Sequence, residues 1–147
     1  CSVASAANGY SCGNAPLSGI IRGGDYGRME VTQGQHYNNA QAEGVRQVPG
    51  RIDPVLVFGP PSFNPGNLAF YRGGRFPGWE GDLLLASFSH GLLRYDTDPQ
   101  GMPLNQPEFL LGELGQRWRD VQVAPDGAVF LLTDQVEGAV IRVTPGG

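Results

Sequence analysis

The chain has 147 residues and a formal net charge of −4, which is the length of one domain. Such a chain buries roughly two thirds of the surface that it exposes when unfolded, and a hydrophobic content of 40% can supply a core. Its 23 glycines and 12 prolines disfavour long helices and favour strands between turns. The negative charge argues against nucleic acid as a partner, and no apolar run approaches the roughly 20 residues of a membrane span.

Two residue types limit the chemistry. All ten basic residues are arginines, so a lysine Schiff base or lysine general base is excluded. The cysteines, Cys1 and Cys12, are too few for a four-ligand zinc site and form no CxxC motif. We predict that they form a disulfide, which would place the chain in an oxidising compartment, periplasmic or extracellular. A lipid-modified Cys1 is the alternative.

Three regions follow one another along the chain. Residues 1–19 are small and polar without periodicity, which predicts an irregular arm. Residues 20–53 hold a glycine-rich turn and a polar segment rich in Gln, Asn and Gly, which predicts a surface loop. Residues 54–147 consist of short apolar runs between turn residues, as strands require. The candidate strands are 54–58, 68–71, 83–88, 91–96, 107–111, 117–123, 128–132 and 139–143.

The last region contains a repeat. WEGDLLLASFSHGLLRYDTD and APDGAVFLLTDQVEGAVIRVTP both give a turn, an apolar strand, a polar hairpin and an apolar strand with arginine. The strands that precede them, at 68–71 and 117–123, start about 50 residues apart, which is typical of one blade of a β-propeller. We therefore predict an all-β fold, a partial β-propeller of about two four-stranded antiparallel blades plus an irregular N-terminal region. The second blade lacks one strand, and 139–143 should lie at its edge.

Four segments of the sequence resemble the soluble pyrroloquinoline-quinone (PQQ) dependent sugar dehydrogenases, the glucose/sorbosone dehydrogenase family of six-bladed propellers. They are IIRGGDYGR at 20–28, DPVLVFGPPSFNPGNLAFYRGGRFPGWEGDLLLASF at 53–88, GQRWRDVQVAPDGAVFLLTD at 115–134 and AVIRVTP at 139–145. RWRDV followed by APDG and LLTD is the most specific combination. The resemblance implies the C-terminal part of such an enzyme, with PQQ and calcium as cofactors.

An arginine pair carries the candidate cofactor site. Arg117 and Arg119 are two residues apart in a predicted strand, so their side chains should leave the same face. Two guanidinium groups on one face can clamp an anion with several carboxylates, and the resemblance implies that this pair contacts PQQ. The alternative is that the arginines pair with local acids, such as Asp120 or Glu113, on a solvated face.

Two serines and a histidine complete that candidate site. Ser62 stands where the family places a hydroxyl residue near the cofactor, although a serine after Pro-Pro is also a common turn former. Ser89 aligns with the family's cofactor-contacting lysine. Its neighbour His90 could replace part of that charge, or could be an exposed turn residue. The family's catalytic histidine base has no counterpart in this chain, so no catalytic residue is assigned.

Other polar and aromatic residues favour structural roles. His36, in the polar segment, has no metal-ligating companion at a suitable spacing and is expected to be an exposed loop histidine. The aspartates lie mostly at turns, where they cap their own backbone; calcium ligation by some of them is the alternative, and the metal site stays unassigned. The aromatic residues are expected to fill the space between blades rather than stack on a sugar: Phe70, Tyr71, Phe76, Trp79, Phe88, Trp118 and Phe130.

These observations support two hypotheses. In the first, the chain contributes part of the cofactor rim of a PQQ-dependent aldose dehydrogenase, is inactive alone, and has a sugar and an external electron acceptor as partners in the complete enzyme. In the second, it is a degenerate propeller module with a structural, binding or self-assembling role. Unpaired blade edges favour self-association in that case.

Overall fold

The computed structural model describes residues 15–18, 20, 22–26, 49–58 and 64–146. They divide between two compact units, Cys1–Asn64 and Pro65–Gly147. In the first unit, strand β1 (Ala15–Leu17) pairs antiparallel with β2 (Leu56–Phe58). The strand predicted at 54–58 is thus present, and one short strand lies inside the segment expected to be irregular. A two-stranded ladder needs only a few backbone hydrogen bonds, which leave no periodic signal in the sequence.

The second unit contains the first predicted blade. Its four strands are β3 (Pro65–Phe70), β4 (Leu83–Ser87), β5 (Gly91–Tyr95) and β6 (Glu108–Leu110), and they lie side by side in chain order. All pairings are antiparallel. This meander, which we call the first sheet, confirms the prediction of a four-stranded blade.

A three-stranded sheet follows after a 3-10 turn at Gly112–Leu114. Its strands are β7 (Trp118–Val123), β8 (Val129–Thr133) and β9 (Val140–Val143), again antiparallel and in chain order. We call it the second sheet. The edge position of β9 among the described strands confirms the prediction for 139–143. None of the described helices is long and apolar enough to span a membrane.

The core of this unit lies where the two sheets face each other. Strand β4 is buried along its whole length, because both of its faces are covered. Trp118 and Tyr71 are fully buried in this core, and Phe76 joins them, as expected for aromatic residues between blades. Phe70 does not follow the expectation, since it is 42% exposed. Trp79 is half-buried and stacks on Phe76 at 4.3 Å between ring centroids.

The Tyr71 hydroxyl joins the two sheets at one end of this core. It donates a hydrogen bond to the Gly127 carbonyl at 2.9 Å and accepts bonds from the backbone N–H groups of Arg75 and Phe76, both at 3.0 Å. Three backbone groups therefore depend on one side-chain oxygen for a partner.

Replacing Tyr71 with phenylalanine should lower the free energy of unfolding by about 1–3 kcal/mol, because buried backbone groups lose their partner. Denaturant unfolding measures the change. Tyr95→Phe is the matched control: Tyr95 is 3% exposed, burial raises the pKa of its phenol to about 12, and its hydroxyl has no hydrogen bond among the described residues. Equal losses in the two variants would contradict the bridging role of Tyr71.

Candidate functional site

Of the arginine pair, Arg117 directly precedes β7 and Arg119 is the second residue of that strand. Trp118 between them is fully buried in the core, whereas both arginine side chains lie on the solvent side. Their side chains are 53% and 61% exposed. The register of β7 with β8 shifts between Trp118 and Asp120, so a β-bulge accompanies the pair. The prediction that both side chains leave one face is confirmed.

A close crossing of two strands fixes the backbone that carries the pair. A Cβ added at Gly66 of β3 would lie 2.5 Å from the Arg119 carbonyl oxygen and 2.7 Å from that of Trp118. Only glycine permits this approach of β3 to β7. The Asn67 amide donates to the Asp120 carboxylate at 2.6 Å next to the crossing. The first sheet therefore holds the arginine-bearing strand of the second.

One carboxylate bridges the two arginines. Arg117 Nη2 donates to Asp134 Oδ2 at 3.2 Å, and Arg119 Nη2 donates to Asp134 Oδ1 at 3.0 Å. The Asp134 backbone N–H donates to the Arg117 carbonyl at 2.7 Å, which fixes the acid beside β7. The pKa of Asp134 is lowered, first by the hydrogen bond from Arg117 and further by the charge of Arg119. The arginines thus do pair with an acid, but it is Asp134 rather than Asp120 or Glu113.

An aromatic ring from the first sheet lies under both guanidinium groups. Phe88 directly follows β4, and its ring centroid lies 4.9 Å from Arg117 Cζ and 5.1 Å from Arg119 Cζ. These distances are those of cation–π contacts. Phe88 was expected to fill space between the blades. It does lie between the sheets, and there its ring contacts both guanidinium groups.

The resulting charge is positive and accessible. Two guanidinium groups face one carboxylate, which leaves an excess of one positive charge at the site. Each guanidinium carries five N–H donors, and only one nitrogen of each is hydrogen-bonded among the described residues. The remaining donors can bind an anion with several carboxylate groups beside a flat ring.

The other predicted site residues differ in their placement. Ser89 follows Phe88 in the β4–β5 hairpin and is exposed, and its backbone N–H donates to Ser87 Oγ at 3.1 Å. His90 lies in the same hairpin and is half-buried, whereas one prediction made it an exposed turn residue. Its ring centroid lies 6.4 Å from that of Phe109. Predictions for Ser62, His36 and the Cys1–Cys12 disulfide lie outside the described residues.

The aspartates of the described segments are engaged in structural contacts. Asp98 accepts backbone N–H bonds from Gln100 at 2.9 Å and Met102 at 2.8 Å, which confirms a turn-capping role. Asp126 bridges Arg75 and Arg142 at 3.1 and 2.7 Å. Within residues 15–18, 20, 22–26, 49–58 and 64–146, no three His, Cys, Asp or Glu side chains cluster as a metal site would require. Calcium binding stays a prediction from the family resemblance.

The sequence predicts the arginine pair but not the two residues that contact it, Asp134 and Phe88. Asp134 ends the LLTD segment, whose position after β8 was visible, but its pairing with β7 depends on register. Phe88 was assigned to packing because an aromatic residue after an apolar strand carries no other signal. Both contacts join residues that are distant along the chain.

The structure thus contains two adjacent blades, each an antiparallel sheet, with a cationic cluster between them. The chain belongs to the Glucose / Sorbosone dehydrogenase family, whose model matches residues 12–142. It is 32% identical over 138 residues to an uncharacterized protein of Synechocystis sp. and 30% identical over 132 residues to the Aldose sugar dehydrogenase YliI of Escherichia coli. These alignments cover 90% and 84% of the chain, which spans only 32% and 33% of the relatives' lengths.

Solved structures show the same relationship. A crystal structure of a glucose dehydrogenase matches with a TM-score of 0.81 and 30% identity, over 91% of this chain and 39% of that one. The soluble aldose sugar dehydrogenase of Escherichia coli, in its apo-form, matches with a TM-score of 0.75 and 26% identity, over 85% of this chain and 36% of that one. The all-β, partial-propeller prediction is confirmed.

Proposed function

We propose that the chain forms two adjacent blades of a PQQ-dependent sugar dehydrogenase and that its arginine pair binds carboxylates of PQQ. The observation that carries this proposal is the paired, exposed guanidinium groups of Arg117 and Arg119 on one face, over the Phe88 ring. PQQ is a flat ortho-quinone with three carboxylates, so its charge and shape fit the donors that the pair leaves open. The family comprises PQQ-dependent dehydrogenases.

The roles of the chain's own residues follow from this fit. When bound, PQQ supplies the two-electron oxidant for a sugar hydroxyl. Arg117 and Arg119 would hold its carboxylates and orient its ring, and the exposed Ser89, adjacent to Phe88, would offer a hydroxyl hydrogen bond. A role for Ser62 stays a prediction from the family resemblance. The family's histidine base has no counterpart in this sequence, so we expect no turnover by the 147-residue chain alone.

A calorimetric titration of PQQ into the full-length protein tests the proposal. We expect saturable binding, and sugar oxidation with an artificial electron acceptor if the protein includes a base. A protein that binds no PQQ would refute the assignment. Binding without turnover would support a cofactor site and contradict the dehydrogenase activity of the full-length protein.

A structural or self-assembling module is the second candidate. It is favoured by β9, whose outer edge is unpaired among the described strands, with Val140 68% exposed. An open strand edge can pair with another chain. Native mass spectrometry separates the candidates, because a stable oligomer without PQQ affinity would favour assembly.

We also propose an exported protein, periplasmic or extracellular, with a Cys1–Cys12 disulfide. An oxidising compartment would keep this bond closed. Thiol titration of the exported protein under denaturing, non-reducing conditions should then find no free thiol from these two residues. Two titratable thiols per chain would contradict the disulfide.

A further inference from the structure

The arrangement of the arginine pair requires an explanation of its own. Arg117 and Arg119 carry like charges on neighbouring positions of an exposed face, and long exposed arginine side chains ordinarily sample many rotamers. Both guanidinium groups instead converge on Asp134 and Phe88. We propose that Asp134 and Phe88 are positioning residues that preorganise the pair for a planar polycarboxylate. This inference rests on the proposed function.

The charge of Asp134 is what makes its role testable. A carboxylate beside an anion site weakens anion binding by simple electrostatic repulsion. If Asp134 only balances charge, removing its carboxylate should increase the affinity for an anion. If Asp134 orders the two arginines, removing its carboxylate should decrease that affinity, because the ligand must then order the arginines itself. The two roles predict changes of opposite sign.

The geometry favours ordering over charge balance. Each Asp134 oxygen accepts from a different arginine, at 3.2 and 3.0 Å, so both guanidinium groups are fixed relative to one carboxylate plane. The Asp134 backbone is itself bonded to the Arg117 carbonyl at 2.7 Å. Asp134, strand β7 and the two arginines are therefore bonded to one another within the second sheet.

Phe88 adds a contact from the first sheet. Its ring lies within 4.9 and 5.1 Å of the two Cζ atoms, so it limits the movement of both arginines at once. The flat guanidinium groups gain an attractive surface that an aliphatic side chain lacks. Correct placement of the pair thus depends on the packing of one sheet against the other.

Two variants with matched controls test the inference by PQQ calorimetry. Asp134→Asn keeps size and makes the site more positive, yet we expect affinity to fall about three- to tenfold, the cost of ordering one long side chain on binding. Asp126→Asn is its control, since Asp126 bridges a different arginine pair, Arg75 and Arg142, and the total charge changes equally. Its affinity should stay within about twofold of wild type.

Phe88→Leu removes the aromatic face while it keeps apolar bulk. We expect a loss of about two- to fivefold, the range of one exposed cation–π contact. Phe109→Leu, at a ring that is 59% exposed on β6, is the control and should bind as wild type does. Phe88→Tyr keeps the aromatic face and should restore most of the affinity.

A second measurement separates positioning from loss of fold and needs no activity. Nitrogen-15 relaxation of the Arg117 and Arg119 Nε–H groups in the unliganded protein should show greater mobility in Asp134→Asn than in Asp126→Asn. Thermal unfolding of each variant records any global effect.

The outcomes are distinct. Tighter PQQ binding by Asp134→Asn, or unchanged binding and mobility in both test variants, would overturn the positioning role and leave the proposed function intact. A wild-type protein that binds no PQQ would overturn the proposed function and this inference with it. Reduced affinity with greater arginine mobility, in a variant that remains folded, supports the inference.

Discussion

Replacing Arg119 with alanine is expected to weaken PQQ binding by the full-length protein roughly ten- to hundredfold. The loss corresponds to one charge-assisted hydrogen-bonding contact, worth about 1.5–3 kcal/mol. Arg119 is the more exposed of the pair, at 61%, so its removal should disturb the fold little. Calorimetric titration of PQQ measures the change.

Arg142→Ala provides the matched control for this experiment. Arg142 is also a half-exposed arginine that donates to an aspartate, Asp126, at 2.7 Å, but it lies on β9 rather than in the arginine pair. An exposed ion pair of this kind contributes only about 0–1 kcal/mol to stability. Equal effects of the two substitutions on PQQ affinity would indicate non-specific attraction between a cationic surface and an anion.

Most of the strands could be predicted because each was marked locally. Apolar runs such as 83–88 and 128–132 are bounded by turn residues, and the observed strands Leu83–Ser87 and Val129–Thr133 lie within one residue of them. The repeat then grouped them into blades. β1 escaped prediction because Ala15–Leu17 has three residues, and its pairing with β2 is a backbone property.

The candidate site was predictable only in its charged part. The two-residue spacing in a predicted strand placed Arg117 and Arg119 on one face, and the structure buries Trp118 between them. The partner acid could not be chosen from sequence, since Asp120 and Glu113 are nearer along the chain than Asp134. The β7–β8 register and the β-bulge decide that choice, and both emerge only when the strands pair.

Alanine at Gly127 is expected to cause a large loss of stability in the second unit. Gly127 ends the APDG turn with φ of +79°, a conformation that costs a residue with a Cβ about 1–2 kcal/mol. A Cβ there would also lie 2.5 Å from the Gly73 carbonyl oxygen, on the loop after β3. Because the obstacle is backbone, relief requires a shift of the turn or loop, which adds about 1–3 kcal/mol.

Gly115→Ala separates these two costs. Gly115 has φ of +60°, and a Cβ added there meets nothing within 4 Å, so only the conformational cost applies. Denaturant unfolding should therefore show a larger loss for Gly127→Ala than for Gly115→Ala. The difference measures the close approach of the two sheets, because the Gly127 carbonyl also accepts the Tyr71 hydroxyl at 2.9 Å and a displaced turn would weaken that bond. Equal losses would mean that the turn shifts at little cost in free energy. The contact between Gly73 and Gly127 would then not determine how the blades pack.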